Sequence, residues 1–237
     1  MLSQKSLVGE TSDKVVERIY CNAGNLPLID LLKKGCNSVL DIGCGAGDNA
    51  VLIKSKYTEC NVYGVTYSAA EAAIAQKHMV RSWIFDIEFE LPADLKDQLF
   101  DGLVFSHVLE HLRNPAEVLG RFSRLLRSGG QLLIAVPNVL SWRTRFQFLQ
   151  GNFEYESAGV LDDTHLRFFT YFTAEQYLLS KSPDLEVTCK TVSGSVPLWW
   201  LRRHVFPQAW SEHIDQWGCR YWPNLFGSQV LITAVKR

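Results

Sequence analysis

What this 237-residue chain lacks already narrows its chemistry. No apolar run reaches the roughly 18–20 residues that crossing a bilayer demands, and the opening MLSQKSLVGETSDK has no signal-peptide core. An excess of charge is missing too. Against 24 Lys and Arg stand 25 Asp and Glu, so the formal net charge of −1 offers no footprint for nucleic acid or an anionic membrane. The six cysteines (21, 36, 44, 60, 189 and 219) form no CxxC pair and read as free thiols of a reducing, cytoplasmic compartment. Internal repeats and low-complexity tracts are also absent. What remains, 47% hydrophobic with 21% charged residues, suits one α/β domain with an insertion.

The most informative segment is SVLDIGCGAGD, residues 38–48. Val39, Leu40 and Ile42 read as a buried strand ending at Asp41, and DNAVLIKSK (48–56) starts a helix. Between them Gly43, Gly45 and Gly47 allow a tight turn without Cβ atoms, which suits a nucleoside-bearing ligand lying across the strand end. A dinucleotide fingerprint wants its third glycine three places after the second; here it comes after two. Further βα units follow: strands at 61–66, 82–87, 100–106 and 131–137, with helical sequence at 68–78 and from Asn114-Pro115 to a stop at Ser128-Gly129-Gly130. Such alternation predicts a doubly wound, mainly parallel sheet of the Rossmann-like kind. Residues 1–36 read as a polar leader with helical segments at 15–19 and 26–32. The expected organisation is one domain: an N-terminal cap (1–36), a cofactor-binding core (38–137), acceptor-side loops and an aromatic insertion (138–225), and a final strand (226–236). Residues 138–170 read as loop, 173–180 as a short helix and 185–192 as a strand, giving seven strands in all.

DIGCGAG, FDIEFELP, FDGLVFSHVLEHLRNP and LLRSGGQLLIAVPN, in this order and spacing, resemble the motifs of class I S-adenosylmethionine methyltransferases. The nearest likeness is to bacterial methyltransferase-domain proteins and MetW-type proteins, and it extends over GNFEYESAGVLDDTHLRFFT (151–170). The resemblance implies S-adenosylmethionine as methyl donor and S-adenosylhomocysteine as product. Asp41, Gly43, Cys44, Gly45 and Gly47 would then serve the methionine half, with Asp41 orienting the loop or meeting the ammonium. Asp86 and the Ile87 backbone would read adenine, and Ser106 would lie beside the donor. The second strand ends in Thr66 where the family usually has an acid. The G-V-T-x-S segment is similar to that of fatty-acid cyclopropane synthases, which implies a ribose contact from Glu71 with Thr66.

SHVLEHL (106–112) follows the fourth strand and would face the transferable methyl. His107, Glu110 and His111 share one face if the turn is helical, and DDTHLRFFT adds His165 with Asp162, Asp163 and Arg167. A histidine base, His111, His165 or His107, would deprotonate an acceptor hydroxyl. The segment is also similar to the metal-binding E-x-x-E-H and D-H-x-F-x-T segments of plant small-RNA methyltransferases, making His107, Glu110, His111 and His165 candidate ligands; the expectation is nevertheless a metal-free site. Trp142, Phe146, Phe153, Tyr155, Trp199 and Trp200 are candidates for the acceptor pocket, and Arg202 and Arg203 could meet an acidic acceptor. PLWWLRRHVF (197–206) reads as a lid, an interfacial helix or a contact in a homodimer. The expected function is O-methylation of a small molecule or glycan. A non-catalytic MetW-like partner protein and a lipid-directed methyltransferase are the alternatives; no nucleic-acid partner is expected, since no basic groove is evident.

Overall fold

The computed structural model describes residues 23–237, apart from the Arg203 side chain; the expected 15–19 helix lies outside them. The strands are β1 (Ser38–Ile42), β2 (Asn61–Thr66), β3 (Arg81–Ile84), β4 (Phe100–Ser106), β5 (Leu126–Pro137), β6 (Leu185–Gly194) and β7 (Gly227–Lys236). The helices are α1 (Leu26–Ile29), α2 (Asp48–Lys56), α3 (Ala69–Ala75), α4 (Ala93–Lys96), α5 (Pro115–Phe122), α6 (Trp142–Leu149), α7 (Ala174–Leu178), α8 (Trp199–Val205), α9 (Gln208–Tyr221) and α10 (Pro223–Phe226). Local chemistry sets several starts. The Asn25 side chain accepts the Leu28 N–H at the head of α1, and the Ser68 hydroxyl accepts the Glu71 N–H at the head of α3. Pro115 opens α5, where a missing N–H costs nothing.

The seven strands form one sheet in the order β3-β2-β1-β4-β5-β7-β6. The first five are parallel, and β7 runs antiparallel between β5 and β6. Strand order therefore reverses between β1 and β4, and a crevice opens at their carboxyl ends. Burial alternates along the strands. Val39, Val62, Val104, Leu133 and Ala135 pack on one face with Ala50, Ile53 and Ala75; Leu40, Leu103, Phe105, Leu132 and Ile134 pack on the other with Leu119, Phe122 and Leu178. Helices on both faces are thus required to cover two apolar surfaces, as the doubly wound expectation states.

Four details differ from the sequence reading. Ser128-Gly129-Gly130 does not end α5; the helix stops at Phe122 and these residues lie inside β5. β3 ends at Ile84, because its pairing with β2 stops where Thr66 turns towards α3, so Asp86 and Ile87 sit in the following turn. Residues 138–170 contain α6, and 138–225 is largely regular structure that includes edge strand β6. The last strand starts at Gly227 rather than 226.

Phe105 is fully buried and meets the edge of Phe122 at 5.8 Å. Phe105→Ala should cost about 3–5 kcal/mol by leaving a cavity between sheet and α5. Urea denaturation, read as a drop in midpoint at unchanged slope, measures it.

Candidate functional site

The glycine loop leaves β1 with Gly43 at φ +73° and Gly47 at φ +93°. At Gly43 the constraint is also steric: a Cβ would stand 2.2 Å from Val108 Cγ2, on the segment that follows β4. The Gly43 and Cys44 N–H groups both donate to Val65 O (2.8 and 2.9 Å), which ties the loop to β2. Gly43 is exposed and Gly45 half-exposed, while Cys44 and Ala46 turn inward. The Cys44 thiol lies with Met79 against Gly64, and burial pushes its pKa up, so only its backbone faces the crevice side. An open cradle with no side chains on its outer face fits an extended nucleoside ligand.

Asp41 lies beneath this loop and is fully buried. Its Oδ1 accepts from Asn49 Nδ2 at 3.4 Å, and among the described residues Oδ2 has no partner. At the end of β2, Thr66 Oγ1 donates to Glu71 Oε2 at 2.7 Å, and both residues are buried. Asp86 is exposed; its Oδ1 accepts the Glu88 N–H at 2.9 Å in a local turn. Ile87 is buried and its carbonyl accepts from Arg121. These groups line successive strand ends, β1, β2 and the turn after β3.

The turn after β4 brings the histidines together. His107 adopts φ +55°, unusual for a residue with a side chain, and Leu109–His111 form a 3₁₀ turn. Glu110 is 1% exposed, with Oε1 at 3.2 Å from His107 Nδ1 and 3.9 Å from His165 Nε2. The His111 and His165 rings meet at 4.8 Å. The loop carrying His165 is anchored on the same residue, since the Leu166 and Arg167 N–H groups both donate to Glu110 O. Arg167 also binds Arg113 O, and Asp162 binds Thr164, so Asp162 and Arg167 are not paired with each other.

Hydrogen-bond direction shows which nitrogens of these rings donate. The Leu28 N–H can only donate, so Asn25 Oδ1 is an acceptor and Asn25 Nδ2 donates to Gln229 Oε1 at 2.9 Å. His107 Nε2, 2.8 Å from that same oxygen, must therefore donate. Its Nδ1 faces a carboxylate and must donate as well. His107 is an imidazolium with no lone pair, which removes it from the candidate bases. Burial acts against its charge, but the hydrogen bond and charge of Glu110 and the bond to Gln229 outweigh it and hold its pKa above the ordinary value. His165 Nδ1 lies 3.0 Å from Val160 O and donates to it, leaving any lone pair at Nε2. The Thr164 hydroxyl donates to Asp162, so His111 Nδ1 donates to Thr164 Oγ1 at 3.0 Å, and its lone pair is again at Nε2. Burial tends to raise the Asp162 carboxyl, but the two Thr164 bonds and the histidines hold it below the usual range.

Asn25, Asn49 and Gln229 are the members that motif reading missed. Asn49 Oδ1 accepts the Asn25 N–H at 2.9 Å, and Asn25 Nδ2 reaches Ser106 Oγ at 3.2 Å, so one polar chain links Asp41 to His107. On the acceptor side, Phe153 stacks on Phe148 and is met edge-on by Tyr155, and Trp142 donates to Ser195 O. Trp199, Trp200, Trp210, Trp217 and Trp222 are 43–66% exposed and are not core. Arg202 is buried and donates to Asp215, Ser211 and Val196, which makes it a structural tie rather than an acceptor contact.

Known proteins share this outline. A family model for a methyltransferase domain matches residues 17–180. Ubiquinone biosynthesis O-methyltransferase of Pseudomonas aeruginosa (strain UCBPP-PA14) is 32% identical over 104 residues, 42% of this chain and 44% of that protein. The bifunctional methionine biosynthesis protein MetXA/MetW of Rhodopirellula baltica is 25% identical over 160 residues, 65% of this chain and 25% of its own length. The matched part spans less than half the length of either relative. The crystal structure of a SAM-dependent methyltransferase from Archaeoglobus fulgidus has the same fold, with a TM-score of 0.57 at 22% identity over 89% of both chains.

Burial, reinforced by Asp48 and opposed by the Asn49 hydrogen bond, lifts the Asp41 carboxyl from 3.8 to about 7. The folded chain thus keeps a proton there that the unfolded chain releases near pH 4. The stability this adds is complete below about pH 4 and is lost as pH rises to about 7. Asp41→Asn should abolish that decline, gaining up to ~4 kcal/mol on the wild type between pH 4 and 8, at 1.36 kcal/mol per unit. Parallel unfolding curves at several pH values measure the difference.

Proposed function

The chain belongs to the class I S-adenosylmethionine-dependent methyltransferases, and from that premise we propose that it methylates a hydroxyl oxygen of a small molecule or glycan. The observation that supports this most is the contact of Val108 with Gly43, which sets the histidine cluster directly beside the donor loop. When bound, S-adenosylmethionine supplies an electrophilic methyl group on a sulfonium. The exposed backbone at Gly43 and Gly45 would hold its methionine half, with Cys44 and the buried Gly47 shaping the loop and Asp41 orienting it from below. The Thr66–Glu71 pair serves the ribose, Asp86 and Ile87 serve the adenine, and Ser106 lies between donor and acceptor.

Methyl transfer is an in-line displacement: the acceptor oxygen forms the new C–O bond as the S–CH₃ bond breaks, with inversion at carbon. The chain aligns the oxygen and removes its proton. His111 or His165, with Nδ1 held by a fixed acceptor and Nε2 as the remaining nitrogen, takes that proton. His107 acts as a fixed cation that positions Glu110. The whole chain acts as a single domain in which residues 138–225, with Phe153 and Tyr155, build the acceptor side. The broad aromatic exposure of α8 and α9 favours a lipid-like acceptor as the second reading.

Calorimetry with S-adenosylhomocysteine, followed by transfer of labelled methyl groups to panels of hydroxyl and amine acceptors, tests the reading. Binding with label appearing on oxygen is expected. Absence of binding at millimolar product would favour a MetW-like partner protein, and label confined to nitrogen would refute the O-directed reading. Glu71→Ala should weaken S-adenosylhomocysteine binding at least tenfold with circular dichroism unchanged; undiminished affinity removes Glu71 from the ribose site. His111→Ala, or His165→Ala, should lower kcat about 10²–10⁴-fold with product affinity retained.

A further inference from the structure

We propose that Glu110, His111 and His165 bind one divalent transition-metal ion, with His107 outside the ligand set. One ligand atom from each of the three residues lies within 4.8 Å of the other two. His111 and His165 have both committed Nδ1 to fixed acceptors, so the nitrogen left to each is Nε2. Glu110 Oε2 is buried and, among the described residues, accepts from no donor.

His165 Nε2 stands 3.9 Å from Glu110 Oε1, well beyond the 2.7–3.2 Å of an N–H···O bond. Two donors held tetrahedrally on one ion at ~2.0–2.1 Å each stand ~3.3–3.4 Å apart, so these side chains would close by roughly half an ångström on taking up an ion. The surroundings also match the way metal-binding side chains are held. Val160 O orients His165, Thr164 with Asp162 orients His111, and the His107 imidazolium holds Glu110. Two imidazoles and one carboxylate favour zinc, manganese or ferrous iron over magnesium and leave coordination positions open. With Nε2 of both histidines on the ion, neither is free to take the acceptor proton, so an ion there would replace the histidine base by lowering the pKa of an acceptor hydroxyl. Only that use rests on the proposed O-methylation; the binding site itself stands on the side-chain arrangement.

The full chain, stripped with EDTA and dialysed, would be titrated calorimetrically with Zn²⁺ and separately with Mn²⁺. One Zn²⁺ per chain at micromolar Kd or tighter is expected. Glu110→Gln and His165→Ala should each weaken it at least tenfold, while exposed His213→Ala leaves it unchanged. S-adenosylhomocysteine affinity in the same variants reports whether the fold is intact, and Mn²⁺ electron paramagnetic resonance counts bound ions independently. Wild type and both variants giving one isotherm would overturn the proposal, because binding would then be surface binding. Full hydroxyl methylation by the stripped chain, with no ion taken up, would also overturn it but leave the O-methylation reading standing. Stoichiometric, Glu110-dependent binding in a chain that methylates only amines would support the ion and refute O-methylation.

Discussion

The Asn25 and Gln229 side chains exchange two amide hydrogen bonds, and the direction of that exchange is set by one backbone donor, the Leu28 N–H. Much of the site's electrostatics follows from it. With Gln229 Oε1 fixed as acceptor, His107 must donate from both nitrogens, and it hydrogen-bonds the Glu110 side chain, which is only 1% exposed. The same Asn25 reaches Ser106 and, through Asn49, the carboxylate under the glycine loop. The donor side and the acceptor side are therefore one hydrogen-bonded unit across the ends of β1, β4 and β7. Disturbance at either end should reach the other through defined donors and acceptors.

The elements most legible in the sequence are those whose limits are set by composition alone. β1, α2, β2 and β4 begin and end where the apolar runs and glycines indicate, because each is a buried segment bounded by a turn. β3 was overestimated because Phe85 to Ile87 continue its apolar run, whereas its length is fixed by the partner strand that Thr66 ends. α6 has no readable amphipathic stripe, and Thr144 is its one buried residue. The tryptophans of α8 and α9, two of which the sequence offered as acceptor-pocket candidates, are turned outward by their helices.

The site was legible to the extent that its members belong to motifs. The glycine loop, Thr66 with Glu71, and the 107–111 and 162–167 segments are all brought to one end of the sheet. Which ring carries a proton was not legible, because it depends on Gln229, 122 residues from His107, and on Asn25, 204 residues from Gln229. Neither amide stands in a motif, and an isolated Asn or Gln in a sequence looks like any surface residue. Only the closed sheet shows that their amides are locked.

The position of β7 has a consequence for how the protein is made. It is the last of the seven strands in the chain, yet it lies between β5 and β6, not at the edge. Until β7 is made, β5 presents an open edge and β6 has no partner in the sheet. Gln229 is also missing from the crevice at that stage. The five parallel strands can therefore pair before β7 exists, whereas the His107–Gln229 bond forms only once β7 is inserted between β5 and β6.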